Sequence, residues 1–96
     1  MPKKNSRYVV VRDNRAGVYA GIKLKVDGKT VLRNARHIYY WKGRISAADI
    51  AARGLTDSSC RVASPVKRIE LFDVVQINDC SPEARKLLED IASWSQ

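Results

Sequence analysis

Apolar and polar positions alternate most clearly in the first third of the chain. From Val18, the positions Val18, Ala20, Ile22, Leu24 and Val26 are apolar, and Tyr19, Gly21, Lys23 and Lys25 between them form a wetter set. A period of two predicts a strand with one buried and one solvent-facing side. Asp27-Gly28 then offers the two positive-φ positions of a type I′ turn. Residues 29–33 are predicted to return antiparallel, with Leu24 opposite Val31 and Lys25 opposite Thr30.

Upstream, residues 7–12 (RYVVVR) read as a first strand closed by a turn at Asp13-Asn14-Arg15. Downstream, residues 35–41 (ARHIYYW) are β-branched and aromatic, with Ile38 and Tyr40 on one face and Tyr39 and Trp41 on the other. A strand apolar on both sides is expected to be central or covered by a helix. Gly43 ends it. Ser46 then suits an N-cap, with Asp49 at the third helical position, Ile45 placed to staple onto Ile50, and Gly54 as the positive-φ stop. The spacing predicts a two-turn helix over residues 47–53.

Residues 56–65 are small and polar and are expected to form a loop reaching as far as Lys67. Residues 68–78 (RIELFDVVQIN) resume strand character, but the alternation slips at Leu71-Phe72 and again at Val74-Val75. A bulge there would bend the strand around a small barrel. Ser81-Pro82-Glu83 marks a second helix start, since serine caps, proline suits the first turn and glutamate complements the dipole. Ala84, Leu87, Leu88, Ile91 and Trp94 follow at helical spacing on one stripe.

Short connections throughout favour antiparallel pairing over βαβ crossovers. The predicted fold class is α+β: a small, strongly curved, mainly antiparallel sheet or partly open β-barrel with a short middle helix and a C-terminal helix. At 96 residues the chain has room for one hydrophobic core. A single domain over residues 1–96 is expected, with residues 1–6 as a disordered basic tail, folding alone or as a small homo-oligomer.

Composition adds a solubility argument. Apolar residues make up 45% of the chain, and no run approaches the roughly 18 consecutive apolar residues of a membrane span. Residues 1–7 are polar and basic, without the apolar core of a signal peptide. A cytosolic protein is expected, with Cys60 and Cys80 as reduced thiols.

Charge sharpens the picture. Through Arg44 there are 12 Lys or Arg against 2 Asp, a net of +10, while the remainder has 6 basic and 8 acidic residues, a net of −2. The whole excess of +8 therefore belongs to the first half. Gathered on one side by the fold, it would attract phosphates over a Debye length of about 8 Å.

The inventory for catalysis is thin. His37 is the one histidine, it lies in the aromatic strand, and it reads as a partly buried structural residue. Glu70 and Asp73 stand three apart on one strand and so face opposite sides. There is no Cys-x-x-Cys, no histidine pair and no acidic calcium-type loop, so neither metal nor cofactor is expected. Residues 16–21 (AGVYAG) do not make a phosphate loop, because Gly21 falls inside a strand, where glycine marks close backbone packing or a bulge.

A cationic and aromatic set remains. Arg12 and Arg15 flank the first turn, Arg36 lies in the aromatic strand, and Lys42 and Arg44 flank Gly43, directly before Ser46 and its helix start. With Tyr39, Tyr40 and Trp41 these residues are candidates for a nucleotide or phosphate site. Lys23, Lys25 and Lys29 carry the alternative, a basic strand face tracking a nucleic-acid backbone.

Residues 8–12 (YVVVR), 16–21 (AGVYAG) and 35–43 (ARHIYYWKG) resemble a family of short tailed-phage proteins catalogued as a domain of unknown function. The likeness spans nearly the whole chain. It departs in the lysine-rich early segment and in the basic Lys42-Gly43-Arg44, where the family has small residues. The resemblance implies a phage accessory protein in the host cytoplasm and no activity that can be carried over. The expected function is non-enzymatic: counter-defence by sequestering an anionic nucleotide signal or blocking a host defence protein, with DNA or RNA binding as the alternative.

Overall fold

Val9, Val10 and Val11 are each 0% exposed, which requires that both faces of their strand be covered. In the computed structural model, which describes residues 7–94 without the side chain of Lys25, they lie in β1 (Arg7–Asp13). The expected tail over residues 1–6 lies outside the described residues. Further strands are β2 (Gly17–Val26), β3 (Lys29–Tyr40), β4 (Arg61–Val62), β5 (Val66–Leu71) and β6 (Val74–Asp79), with helices α1 (Ala47–Arg53) and α2 (Pro82–Asp90). All pairings are antiparallel, in the order β4-β3-β2-β1-β6, and β5 shares with β4 the outer edge of β3.

The α+β class and the curved antiparallel sheet match the expectation, and the sheet is not closed. β5 takes residues Thr30 to Ala35 of β3 and β4 takes Ile38 to Tyr40, while β6 lies on the far side of β1. Among the described residues no ladder joins β5 to β6.

One cluster, including Tyr8, Val10, Ala20, Ile38, Ile50, Leu55 and Leu88, fills the space between one sheet face and the two helices. On the other face Val9, Val11, Leu32, Ala35 and Leu71 form a second cluster, with Tyr19, Ile69 and Val74 packed against it. Curling lets the sheet cover its own second face, so β1 is apolar at consecutive positions.

The hairpin register is as predicted, with Leu24 opposite Val31 and Lys25 opposite Thr30. Its turn differs, since Gly28 is at φ 69° and Asp27 is not at positive φ, so the turn is not type I′. The two predicted strands over 29–33 and 35–41 are one, β3, interrupted by a bulge: Ala20 pairs with Arg36 but Ile22 with Arg33. Asn34 supplies the extra residue at φ 52°, a left-handed conformation that asparagine tolerates better than most. Opposite it, Gly21 leaves no room for a side chain, because a Cβ would meet Ala35 Cα and Arg33 O at 3.1 Å.

Other expectations are corrected. Residues 68–78 are not one bulged strand but β5 and β6, parted at Phe72-Asp73, and the loop over 56–67 contains β4 and the start of β5. The corner is tied to β1 by Asp13, whose Oδ2 accepts from the Asp73 N–H at 3.0 Å. The Ser46 cap forms as predicted, its Oγ accepting from the Asp49 N–H at 3.3 Å, but Ile45 is 91% exposed and makes no staple. Helix α2 is capped by Ser81 and stops at Asp90, so Trp94 is not on its stripe. It belongs to an extended tail, where its N–H donates to the Val62 carbonyl at 3.0 Å. Among the described residues no helix is long and apolar enough to cross a membrane.

Candidate functional site

Three of the predicted site residues meet in one cleft. Arg12, near the end of β1, Trp41, just past β3, and Ser46, the cap of α1, line a cavity of about 330 Å³ with Val18, Ile45, Ala47 and Gln76. Gln76 stands beside Arg12 as its ladder partner across β1 and β6. Trp41 leaves the strand after Tyr40 and packs against the helix-side cluster, on the Ile38 side, so it does not share a face with Tyr39 as predicted. The cleft therefore offers an indole, a solvent-exposed guanidinium and a side-chain amide. These groups suit an aromatic ring bearing an anionic substituent.

The remaining cations do not converge there. Arg36 is 3% exposed and turns inward. Its guanidinium donates to the carbonyls of Ala63 (2.8 Å), Leu88 (3.0 Å) and Ile91 (2.7 Å) and to Ser93 Oγ (3.1 Å), which removes it from the set of ligand-binding candidates. Burial lowers its pKa. Arg44 is likewise engaged, donating to the carbonyls of Gly54 (2.7 Å) and Arg53 (3.5 Å) at the C-terminus of α1 and to that of Gly43 (2.7 Å), next to it in the chain. The physical reason is common to both: the last carbonyls of a helix lack intrahelical donors, and a guanidinium satisfies several at once.

Arg15 lies in the turn after β1, 87% exposed, with Nε 3.6 Å from Asp73 Oδ2. Lys42 is exposed in the connection to α1. Of the alternative set, Lys23 is half-buried in β2 and Lys29 lies 3.9 Å from Glu70, while the side chain of Lys25 is outside the described residues. The single electropositive surface expected from the sequence is not assembled from these residues, which are distributed over the first turn, the interior, the helix end and the far hairpin.

A second assembly was not expected from the sequence. Tyr19 of β2 stacks on His37 of β3 at 4.5 Å between centroids and 12° between planes. His37 meets Tyr39 at 5.3 Å, and Tyr39 meets Trp94 edge-on at 5.7 Å. The Arg61 guanidinium lies 4.6 Å from the Trp94 centroid and 5.6 Å from that of Tyr40. Burial lowers the His37 pKa, which favours a neutral imidazole in the stack. The hairpin register alone would place Tyr19 opposite Arg36. Only the Asn34 bulge moves it opposite His37.

Cys60 is buried and Cys80 half-buried, both as free thiols. Burial, then the neighbouring Asp79 carboxylate, pushes the Cys80 thiol up to about 12, so it is held protonated and is a poor nucleophile. Among the described residues no group of three or more acidic, histidine or cysteine side chains could hold a metal ion.

The sequence profile of a domain of unknown function, DUF6948, matches residues 6–88. No curated protein and no solved structure matches the chain.

Proposed function

The chain belongs to the DUF6948 family of domains of unknown function, and from that footing we propose that it is a non-catalytic binding protein for a nucleotide-type anion. The observation that carries this reading is the cleft in which Arg12, Trp41 and Ser46 meet, although 34 positions separate the first from the last. In it a base lies against the Trp41 indole and a phosphate is held by the Arg12 guanidinium with the Gln76 amide. At about 330 Å³ the cavity is at the lower end of the usual ligand range, which suits a mononucleotide or one half of a dinucleotide. The likeness to short tailed-phage proteins extends the proposal to a counter-defence role: the protein sequesters a nucleotide signal, or blocks a host defence component, in the host cytoplasm.

A thermal-shift series with mononucleotides, cyclic dinucleotides and inorganic phosphate tests the reading. A ligand at 100 times its Kd stabilises the fold by about 2.7 kcal/mol, which raises Tm by roughly 10–20 °C in a domain of this size. Arg12→Gln is expected to remove the shift and leave the Tm of the unliganded protein unchanged. The proposal is wrong if no nucleotide at millimolar concentration moves the Tm, or if Arg12→Gln responds as the parent does.

A further inference from the structure

We propose that the row formed by Tyr19, His37, Tyr39, Trp94, Arg61 and Tyr40 is a docking surface for single-stranded nucleic acid. This rests on an observation separate from the Arg12–Trp41 cleft. The row is built from three parts of the chain: the β2–β3 ladder places Tyr19 beside His37, Arg61 comes from β4, and the tail after α2 brings Trp94.

Two features distinguish this row from rings filling a core. Tyr39 and Tyr40 are 41% and 44% exposed, Tyr39 against Trp94 and Tyr40 beneath Arg61 at the sheet edge, so their rings remain available to an incoming base. Arg61 is exposed and, like Arg12, Arg33, Lys42 and Lys67, has no ion pair among the described residues, whereas Arg7, Arg15, Lys29, Arg53, Arg68, Arg85 and Lys86 each lie within 4 Å of a carboxylate; of the unpaired set, Arg61 lies over two aromatic rings. A guanidinium held over two rings and matched to no acid offers its donors to a phosphate.

Pre-organisation supports the same occupant. Tyr39 is braced by Trp94 at its edge and by His37 behind, and the Trp94 main chain is pinned to Val62. His37 in turn packs over Gly17, where a Cβ would stand 3.2 Å from Nε2. Rings already fixed lose little side-chain entropy when a base stacks on them. Sheet-borne aromatic rows of this kind stack about two or three bases, and stacking tolerates any sequence because every base has a π-face. A duplex hides those faces. No carboxylate contributes to the row, and the chain carries a net +8, so its charge favours a polyanion over an acidic-and-basic protein surface.

The test uses the full chain with labelled 12-nucleotide single strands of DNA and RNA and the matching duplexes, read by fluorescence anisotropy across a salt series. In a Trp41→Phe background Trp94 is the sole tryptophan, since the chain has two. Single strands are expected to quench its emission and to bind at least tenfold more tightly than duplexes. Tyr39→Ala is expected to weaken binding about tenfold, the usual order for one stacked base. Arg61→Gln is expected to lower the slope of log affinity against log salt by about 1. Arg12→Gln should leave single-strand binding unchanged, which separates this surface from the nucleotide cleft. Equal affinity for duplex and single strand, unquenched Trp94 on binding, or retained affinity in both Tyr39→Ala and Arg61→Gln would each overturn the proposal. So would a nuclease-resistant protein partner from a cell lysate that requires Tyr39 and Arg61, in the absence of any single-strand binding.

Discussion

Arg36 Nη1 donates to the Ile91 carbonyl at 2.7 Å, joining the middle of β3 to the residue at which α2 ends. With its bonds to Leu88, Ala63 and Ser93, one guanidinium holds the last carbonyls of a helix, a loop and the tail against the sheet. Arg36→Met keeps the apolar stem and leaves the helix-end carbonyls without donors. Urea denaturation is expected to show a loss of about 3 kcal/mol, the scale of several bonds to a buried charge. Arg36→Lys should recover only part of it, since an ammonium cannot span four divergent acceptors. A loss under about 1 kcal/mol would show the guanidinium to be incidental.

The local elements were legible in the sequence because period, caps and turn residues act over a few positions. Alternation fixed the Leu24–Val31 register, and Ser46, Gly54 and Ser81 marked helix ends that the structure has. Features that depend on which face becomes covered were not legible. Arg36 alternates with Ile38 on the face that meets the helices, and nothing in the local pattern says that helices will lie there. The slip at Leu71-Phe72 was a true signal of irregularity, but a bulge and a corner give the same break in period. Net charge predicted convergence for the same reason it misled: it constrains the whole surface and assigns no partner to any one cation. Tyr19 and His37 met only through the Asn34 bulge, which no turn motif announces.

Asp13 predicts an acid-sensitive corner. Its Oδ1 accepts from the N–H groups of Arg15 and Ala16, both at 2.8 Å, and its Oδ2 from that of Asp73. The Ala16 N–H foremost, then those of Asp73 and Arg15, lowers its pKa below the ordinary 3.8. Stability from a lowered carboxylate pKa is fully present above the unfolded-state value and is lost as pH falls through the folded one. Asp13→Asn puts an amide donor against N–H groups and is expected to cost about 1–3 kcal/mol at pH 7. Denaturation curves of the two proteins should then converge as pH drops below 3.8, and a constant gap down to pH 2 would contradict the assignment.

Arg44 distinguishes a structural cation from a binding one. Its guanidinium takes up carbonyls at the end of α1, so Arg44→Ala is expected to lower stability by about 1 kcal/mol through the lost cap. Nucleotide-induced thermal shifts, measured against each protein's own unliganded Tm, should be unaltered. A variant of parental stability that no longer responds to nucleotide would instead restore Arg44 to the binding set.

Two glycines at positive φ differ in crowding and in backbone, since Gly54, at ψ −169°, lies in a region open essentially to glycine alone. Gly28 is at φ 69° with nothing within 4 Å of the place a Cβ would take, whereas Gly54, at φ 74°, would direct a Cβ to 2.9 Å from Leu87 Cδ1 and 3.2 Å from Ala84 Cα. The left-handed backbone alone costs an alanine about 1 kcal/mol, and that is the loss expected for Gly28→Ala. At Gly54 the end of the Leu87 side chain can swing aside, but Leu87 Cβ, at 3.0 Å, and Ala84 Cα move only with α2, whose start is tied to α1 by the bonds of Ser81 to the Ala51 and Ala52 carbonyls. The helices must therefore part for the methyl to fit, and overpacking adds about 1–3 kcal/mol. Gly54→Ala is expected to be the more destabilising of the two by at least about 1 kcal/mol in urea, and equal losses would mean that neither the Gly54 backbone nor the α1–α2 contact resists the methyl.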